Sequence, residues 1–129
     1  MNRRKIRENV FSLLFRVEFN DEVEMKEQME LFLEDIEDEA ARAEISSKVN
    51  AIREKQVEID NALNEKVTGW STDRIGKVEL TILRLAYYEM KFDESVPESV
   101  AINEAVELAK KFGQDSAAGF VNGVLAKFA

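Results

Sequence analysis

Pro97 is the only proline in this chain of 129 residues, which also contains just five glycines. Proline forces an extended or turn conformation on the residue before it, so a break is predicted at Val96-Pro97. Glu, Lys, Leu and Ala are abundant and are good helix formers, whereas no stretch alternates apolar and polar residues for long enough to indicate a strand. The sequence therefore predicts an all-α fold.

Apolar residues recur at helical spacing in six segments. The first three predicted helices cover about residues 3–19, a stretch inside 18–44, and about residues 45–66. The fourth, Ile75 to Met90, is apolar on more than one side, which predicts a central helix. The fifth covers about Val100 to Phe112, and a sixth follows with Asp115 or Ser116 as its candidate cap.

Several positions are predicted to end or begin these helices. Thr68-Gly69 is expected to end the third helix, Trp70 to pack at the corner, and Ser71 and Asp73 are candidate caps for the fourth. Gly113 is a natural C-terminal cap for the fifth. In the sixth helix, Gly119 and Gly123 lie one turn apart. Because glycine lowers helix propensity, we expect that these two positions allow close approach by another backbone or a ligand.

The composition excludes several classes of protein. Neither cysteine nor histidine occurs, so disulfides, thiolate chemistry, Ser-His-Asp or Cys-His catalysis and a conventional zinc site are ruled out. No apolar run could span a membrane, and Glu8 and Arg16 interrupt the uncharged segment that a secretory signal needs. We expect one domain, residues 1–129, in the cytoplasm and with no cofactor.

Enzyme chemistry is also not expected. The glycines are scattered singly, so no phosphate-binding loop is predicted. Carboxylates are plentiful, but no pair of them stands in an apolar context that would raise the pKa of one carboxyl group and leave that of the other low. Glu104 and Glu107 are neighbours on the fifth helix, and a solvated face accounts for them. We therefore predict that the chain is not an enzyme.

Charge gives the sharpest functional signal. The chain carries a formal net charge of −8, yet Arg3, Arg4, Lys5 and Arg7 fall within about one turn of its first helix. A helix N-terminus also offers unpaired N–H groups and positive dipole, so this turn suits phosphate, although a solubilising terminus explains it as well. Because so few phosphates can be neutralised, tight RNA binding would need a partner, and the acidic faces suit a basic protein.

Three C-terminal motifs resemble the NusB family of transcription antitermination factors. They are WSTDRIGKVELTILRLAYYEM from Trp70, VPESVAINEAVELAKKFG from Val96 and DSAAGFVNGVL from Asp115; the opening RRKIRE is similar to the family's arginine-rich start. The resemblance covers nearly the whole chain. It implies an all-helical fold of about six to seven helices in two three-helix subbundles.

The resemblance also implies a function without catalysis. Family members bind boxA, a short single-stranded leader element of ribosomal RNA precursors, as heterodimers with a small-subunit ribosomal protein, NusE. The complex joins other Nus factors on RNA polymerase and suppresses premature termination. The alternative from the residues alone is a protein-interaction adaptor with an inert basic terminus. The resemblance further allows a homodimer.

Two sets of residues follow from the resemblance. For RNA it implies the basic turn and the start of the last helix, where Phe120 could stack on a base or simply pack in the core: Arg3, Arg4, Lys5, Arg7, Asp115, Ser116 and Phe120. For the ribosomal protein it implies Phe15, Glu79 and Arg84, the last two being equally explained by a buried salt bridge. This chain departs from the family at Ile6, usually a small residue, and at Gly119, where many relatives carry lysine.

Overall fold

The computed structural model describes residues 1–67 and 75–129, and within these two ranges every regular element is helical. They contain seven α-helices and one short 3-10 segment. The predictions made for Thr68-Gly69, Trp70, Ser71 and Asp73 lie outside the described residues. The chain divides into two compact units, Met1–Arg53 and Glu54–Ala129.

The first unit contains three α-helices, which are α1 (Arg3–Phe15), α2 (Glu22–Glu34) and α3 (Glu39–Glu54). The predicted first helix is shorter than expected, because its last residues tighten into a 3-10 segment, Arg16–Phe19, and the chain becomes extended at Asn20. The apolar spacing predicted for the first helix is confirmed, since four residues of α1 that follow it are buried: Ile6, Val10, Leu13 and Leu14.

Side-chain caps begin each helix of this unit. Asn2 accepts a hydrogen bond from the backbone N–H of Lys5 at 2.8 Å. Asp21 and Glu24 form a reciprocal capping box at the start of α2. Asp38 accepts from the N–H of Ala41 at 3.1 Å at the start of α3. These caps satisfy N–H groups that a helix leaves without partners, so short local signals set the helix starts.

The predicted third helix, about residues 45–66, is two helices in the structure. α3 ends at Glu54, Lys55 has a φ of −95° and a ψ of 2°, and α4 (Gln56–Lys66) follows. Neither glycine nor proline marks the break. Ile52 and Ile59, both buried, are seven residues apart, so the apolar spacing continues across the break as if one helix ran through it.

The second unit contains α4 and three further helices, α5 (Lys77–Phe92), α6 (Glu98–Phe112) and α7 (Ala117–Ala126). The central position predicted for the fourth helix is confirmed, because α5 packs against α4, α6 and α7. All seven residues from Leu80 to Ala86 are buried. Val96 and Pro97 lie in the connection before α6, as predicted.

Two further properties hold for the described ranges. None of their helices combines the length and the apolar character needed to cross a membrane. Every buried side-chain nitrogen or oxygen in them has a hydrogen-bond partner, including those of Arg84 and Glu89 in the core of the second unit.

Candidate nucleic-acid interface

The basic residues occupy the exposed first turn of α1. Because Asn2 caps the helix, Arg3, Arg4 and Lys5 are its first three residues, and all three are exposed. Arg7 is half-buried, one turn further on. This turn contains no acidic residue, although carboxylates are the side chains that a helix dipole favours at this end. The placement works against helix stability and is typical of a surface kept for an anionic ligand.

These cations have carboxylate neighbours within the first unit. The guanidinium of Arg3 donates to both carboxylate oxygens of Glu44 on α3, at 2.5 and 2.7 Å. These hydrogen bonds raise the pKa of Arg3 above its ordinary value. Nζ of Lys5 lies 3.7 Å from Oε1 of Glu8. Arg4 and Arg7 also interact with other groups. A phosphate that binds here must therefore compete with the protein's own carboxylates.

The second predicted RNA segment lies at the start of α7. Asp115 and Ser116 are exposed, and Phe120 is half-buried. Ser116 occupies the N-cap position that was predicted for it or for Asp115, but its side chain makes no capping hydrogen bond. Phe120 and Ser116 line a cavity of about 340 Å³ with Ile75, Gly76, Glu79 and Ala117. Phe120 thus presents part of its ring to an open cavity.

The exposed side of α7 consists of small residues. A Cβ built at Gly119 or Gly123 would meet none of the described residues within 4 Å, so the close approach expected there is not made by the described part of this chain. Asn122 lies between them and is exposed, as is Asn103 on α6.

Phe15, predicted to contact the protein partner, lies in an aromatic row. Its ring centroid is 6.0 Å from that of Phe11 and 5.1 Å from that of Phe19. Phe11 is buried, Phe15 half-buried, and Phe19 is 58% exposed. Phe19 is not among the partner residues predicted from the sequence. Its signal was the four-residue spacing from Phe15, which continues the row to the surface through the 3-10 segment.

Glu79 and Arg84, both on α5, differ in environment. Glu79 is half-buried in the first turn and lines the same cavity as Phe120. Arg84 is buried and makes a two-point ion pair with Asp60 of α4. For Arg84, the buried salt bridge weighed as an alternative is therefore present.

The predicted RNA residues form two groups, one in each unit. Arg3, Arg4, Lys5 and Arg7 follow one another along α1 in the first unit; Asp115, Ser116 and Phe120 lie at the start of α7 in the second. The second unit also brings the predicted partner residue Glu79 beside Phe120. No group of carboxylates suited to a metal ion occurs in residues 1–67 and 75–129.

The sequence and the fold of this chain are similar to those of known proteins. The NusB family model matches residues 4–129. The transcription antitermination protein NusB of Agathobacter rectalis is 55% identical over 131 residues, covering all of both chains. A solved structure of T. maritima NusB has a TM-score of 0.90 at 33% identity, covering 100% of this chain and 91% of the other.

A second solved structure is of the antitermination factors NusB and NusE in complex with dsRNA. One of its chains has a TM-score of 0.82 at 30% identity, and the match covers 97% of this chain and 93% of that one. The family match over residues 4–129 and the full-length identity to a curated relative lead to one conclusion: this chain belongs to the NusB family.

Proposed function

We propose that this chain is a transcription antitermination factor that binds boxA-type single-stranded leader RNA of ribosomal RNA precursors together with the ribosomal protein NusE. It acts by positioning RNA and protein in the cytoplasm, without catalysis, and it reaches other Nus factors and RNA polymerase through this complex. The observation that carries the proposal is the exposed cationic turn of α1 in a NusB family member whose net charge is −8.

The two groups of RNA residues have different proposed roles. The cations of α1 contact phosphates, while Phe120 stacks on a base, a contact worth roughly 1–3 kcal/mol. Stacking on Phe120 requires an unpaired base, because the bases of an A-form duplex are stacked on one another. A similar NusB was solved with NusE and dsRNA; for this chain we propose that the whole of residues 1–129 serves as one RNA-binding domain with single-strand preference.

Phe15 and Glu79 are proposed as contacts of the ribosomal partner, and Arg84 as a residue that supports the contact surface. Phe15 and the more exposed Phe19 offer aromatic surface, and aromatic residues commonly dominate the binding energy of protein interfaces. Glu79 supplies negative charge for a basic partner. Arg84 is already paired with Asp60, so we propose that it positions the surface of α5.

The direct test is an anisotropy titration of labelled single-stranded leader RNA with this chain, alone and with NusE, at several salt concentrations. Replacing Arg4 and Arg7 by Ala should weaken binding at least tenfold and reduce the slope of log K against log salt by about 1.4. The matched control replaces the exposed Lys26 and Lys66 by Ala, an identical change in net charge on α2 and α4.

An adaptor without RNA contact is the second candidate. The pairing of Arg3 with Glu44 favours the adaptor, because a cation of this turn already has a carboxylate partner within the chain. The adaptor is the correct function if the double variant binds leader RNA as tightly as the unmodified chain while NusE binding is retained. If a duplex competitor displaces the labelled leader strand as effectively as a single-stranded competitor does, the proposed preference for single strands is contradicted.

A further inference from the structure

An open cavity of about 810 Å³ lies in the first unit, where the end of α2 and its connection to α3 come close to α1. Leu31 and Phe32 give the cavity an apolar surface, Asp35 and Glu37 line it with carboxylates, and Lys5 lines it from α1. Leu31, Asp35 and Glu37 are exposed. The cavity therefore combines an apolar surface with negative charge that a ligand can reach.

The helix beside this cavity leaves most of its surface uncovered. Of the 13 residues of α2 only Met25 is buried, while Val23 and Leu31 are 79% and 54% exposed. Between Glu22 and Asp38 the sequence has eight carboxylates and one lysine, all of them exposed, so this segment has a net charge of −7. Apolar side chains exposed among charges of one sign are typical of a protein interaction surface. The sign of the charge favours a basic partner and opposes RNA phosphates.

The cavity lies on a different side of α1 from the contacts proposed above. In an α-helix each residue is turned by about 100° from the one before it. Asn9, which lines the cavity, is therefore about 140° around the helix axis from Arg4 and about 120° from Phe15. Lys5 is between the two sides, about 100° from Arg4. A ligand in the cavity thus leaves Arg4 and Phe15 accessible to RNA and to NusE.

Arg16 fixes one wall of the cavity. Its guanidinium donates a hydrogen bond to Oε1 of Gln28 at 2.7 Å and lies 5.1 Å from the centre of the Phe32 ring. Both contacts are with α2, so Arg16 holds Phe32 at the cavity surface. Because Arg16 is positively charged, a cationic group of a ligand is directed away from it, toward Asp35 and Glu37.

We propose that this cavity and the exposed side of α2 bind a basic amphipathic segment of a protein other than NusE. An apolar side chain of that segment packs against Leu31 and Phe32, and its lysines or arginines pair with Asp35 and Glu37. RNA is the poorer occupant, because its phosphates would meet a segment with a net charge of −7. The site is separate from the proposed RNA contacts, so it does not depend on them.

The test uses a fluorescein-labelled helical peptide of about 18 residues, with leucines on one face and lysines on the other. In two matched peptides the leucines are replaced by Ser or the lysines by Glu. Fluorescence anisotropy should show binding of the first peptide to the full chain, and binding of both matched peptides about tenfold weaker or less.

Variants of the chain locate the binding site. Leu31→Gln removes the exposed apolar side chain, and Asp35→Asn with Glu37→Gln removes two charges. We expect each to weaken binding of the first peptide about fivefold, and the charge variant also to reduce its salt dependence. The matched controls are Val57→Gln, and Glu94→Gln with Glu107→Gln, at exposed positions of the second unit. They should bind the peptide as the unmodified chain does, and so should the Arg4 and Arg7 double variant.

Three results would overturn the inference. One is an equal loss of peptide binding in the matched controls, which would make the binding a general effect of net charge. Another is a loss of affinity for leader RNA or for NusE in Leu31→Gln, which would assign the cavity to one of those two ligands. The third is a dimer in analytical ultracentrifugation that Leu31→Gln dissociates, since a second copy of the chain would then be the occupant.

Discussion

Arg84 of α5 and Asp60 of α4 form a two-point ion pair in the second unit. Nε of Arg84 lies 2.9 Å from Oδ1 of Asp60, and the terminal nitrogen lies 2.9 Å from Oδ2. The side chains are 8% and 21% exposed. The planar guanidinium matches the carboxylate at two points, so the pair connects two helices in a defined geometry.

Breaking this pair should destabilise the fold. Arg84→Met leaves Asp60 without its ion-pair partner, and we expect a loss of roughly 2–4 kcal/mol in the free energy of unfolding, less than for a fully buried pair because Asp60 is a fifth exposed. Urea denaturation at neutral pH measures the loss. Asp60→Asn is the companion variant: both should lower affinity for NusE to a similar extent. A much larger effect of Arg84→Met would mean that Arg84 contacts the partner directly.

Removing the carboxylate that holds Arg3 should strengthen RNA binding. In Glu44→Gln the ion pair is lost and at most one of the two hydrogen bonds to Arg3 can remain, because the amide has a single acceptor oxygen; a phosphate then no longer competes with a carboxylate. We expect leader RNA to bind about two to five times more tightly at low salt, an advantage that fades as salt screens the turn. Glu39→Gln at the start of the same helix is the control. Unchanged affinity in Glu44→Gln would exclude Arg3 from the RNA contact.

Gly119→Lys should add a phosphate contact next to the proposed base-stacking residue Phe120. The position is exposed on α7, and a Cβ there meets none of the described residues within 4 Å. A lysine also has a higher helix propensity than glycine, by up to about 1 kcal/mol. We expect a higher melting temperature, tighter RNA binding and a salt slope steeper by about 0.7. Gly119→Gln tests the propensity gain without the charge, and the affinity gain should be absent from it.

Two glycines of the second unit should differ in how strongly an alanine substitution affects stability. At Gly113 a Cβ would come within 2.6 Å of Cβ of Ala117 and 2.8 Å of the carbonyl oxygen of Ala109, both fixed by packing. We expect Gly113→Ala to cost about 1–3 kcal/mol. At Gly76 the obstacle is the movable carboxylate of Glu79, so Gly76→Ala should change stability by less than about 1 kcal/mol. Equal thermal stability of the two variants would contradict this assignment.

Asp38 should make stability depend on pH. The backbone N–H of Ala41, and then the amino group of Met1, lower the pKa of this carboxyl. A lowered folded-state pKa means that the stabilisation is complete above the unfolded-state value and is lost as pH falls through the folded-state value. Asp38→Asn keeps a capping oxygen but loses the negative charge. It should therefore be less stable than the unmodified chain at pH 7 and equally stable well below pH 4, which is about the ordinary pKa of Asp.

The denaturant midpoints of the two proteins at both pH values measure this effect. Asp38→Ala loses the cap as well and should be less stable at each pH. A difference between Asp38→Asn and the unmodified chain that persists at low pH would show that the charge of Asp38 is not its cause.

The fold was largely accessible from apolar spacing. The buried face of α1 and the central position of α5 followed from the burial that such spacing demands. The break at Lys55 could not be predicted, because it needs no glycine or proline and Ile52 and Ile59 keep one period across it. The glycine at 113 was identified as a helix end, but its φ of −97° is ordinary, and crowding by Ala117 is what requires it.

The candidate site was only partly accessible from sequence. A cluster of four cations in an acidic chain can be recognised from the sequence alone. The pairing of Arg3 with Glu44, 41 residues further along the chain, cannot be predicted in this way, because it depends on how α1 and α3 pack. The same holds for Glu79 and Phe120, which share a cavity although 41 positions separate them in the numbering. Local chemistry was predictable, and the neighbours that modify it were not.

The open space beside Gly123 makes the chain convenient to label. Because the sequence has no cysteine, Gly123→Cys would introduce a unique thiol, on an exposed helix position three residues beyond Phe120. A Cβ there meets none of the described residues within 4 Å, so a small fluorophore would fit without disturbing the core. Its emission would report directly whether nucleic acid, protein or neither covers that side of α7.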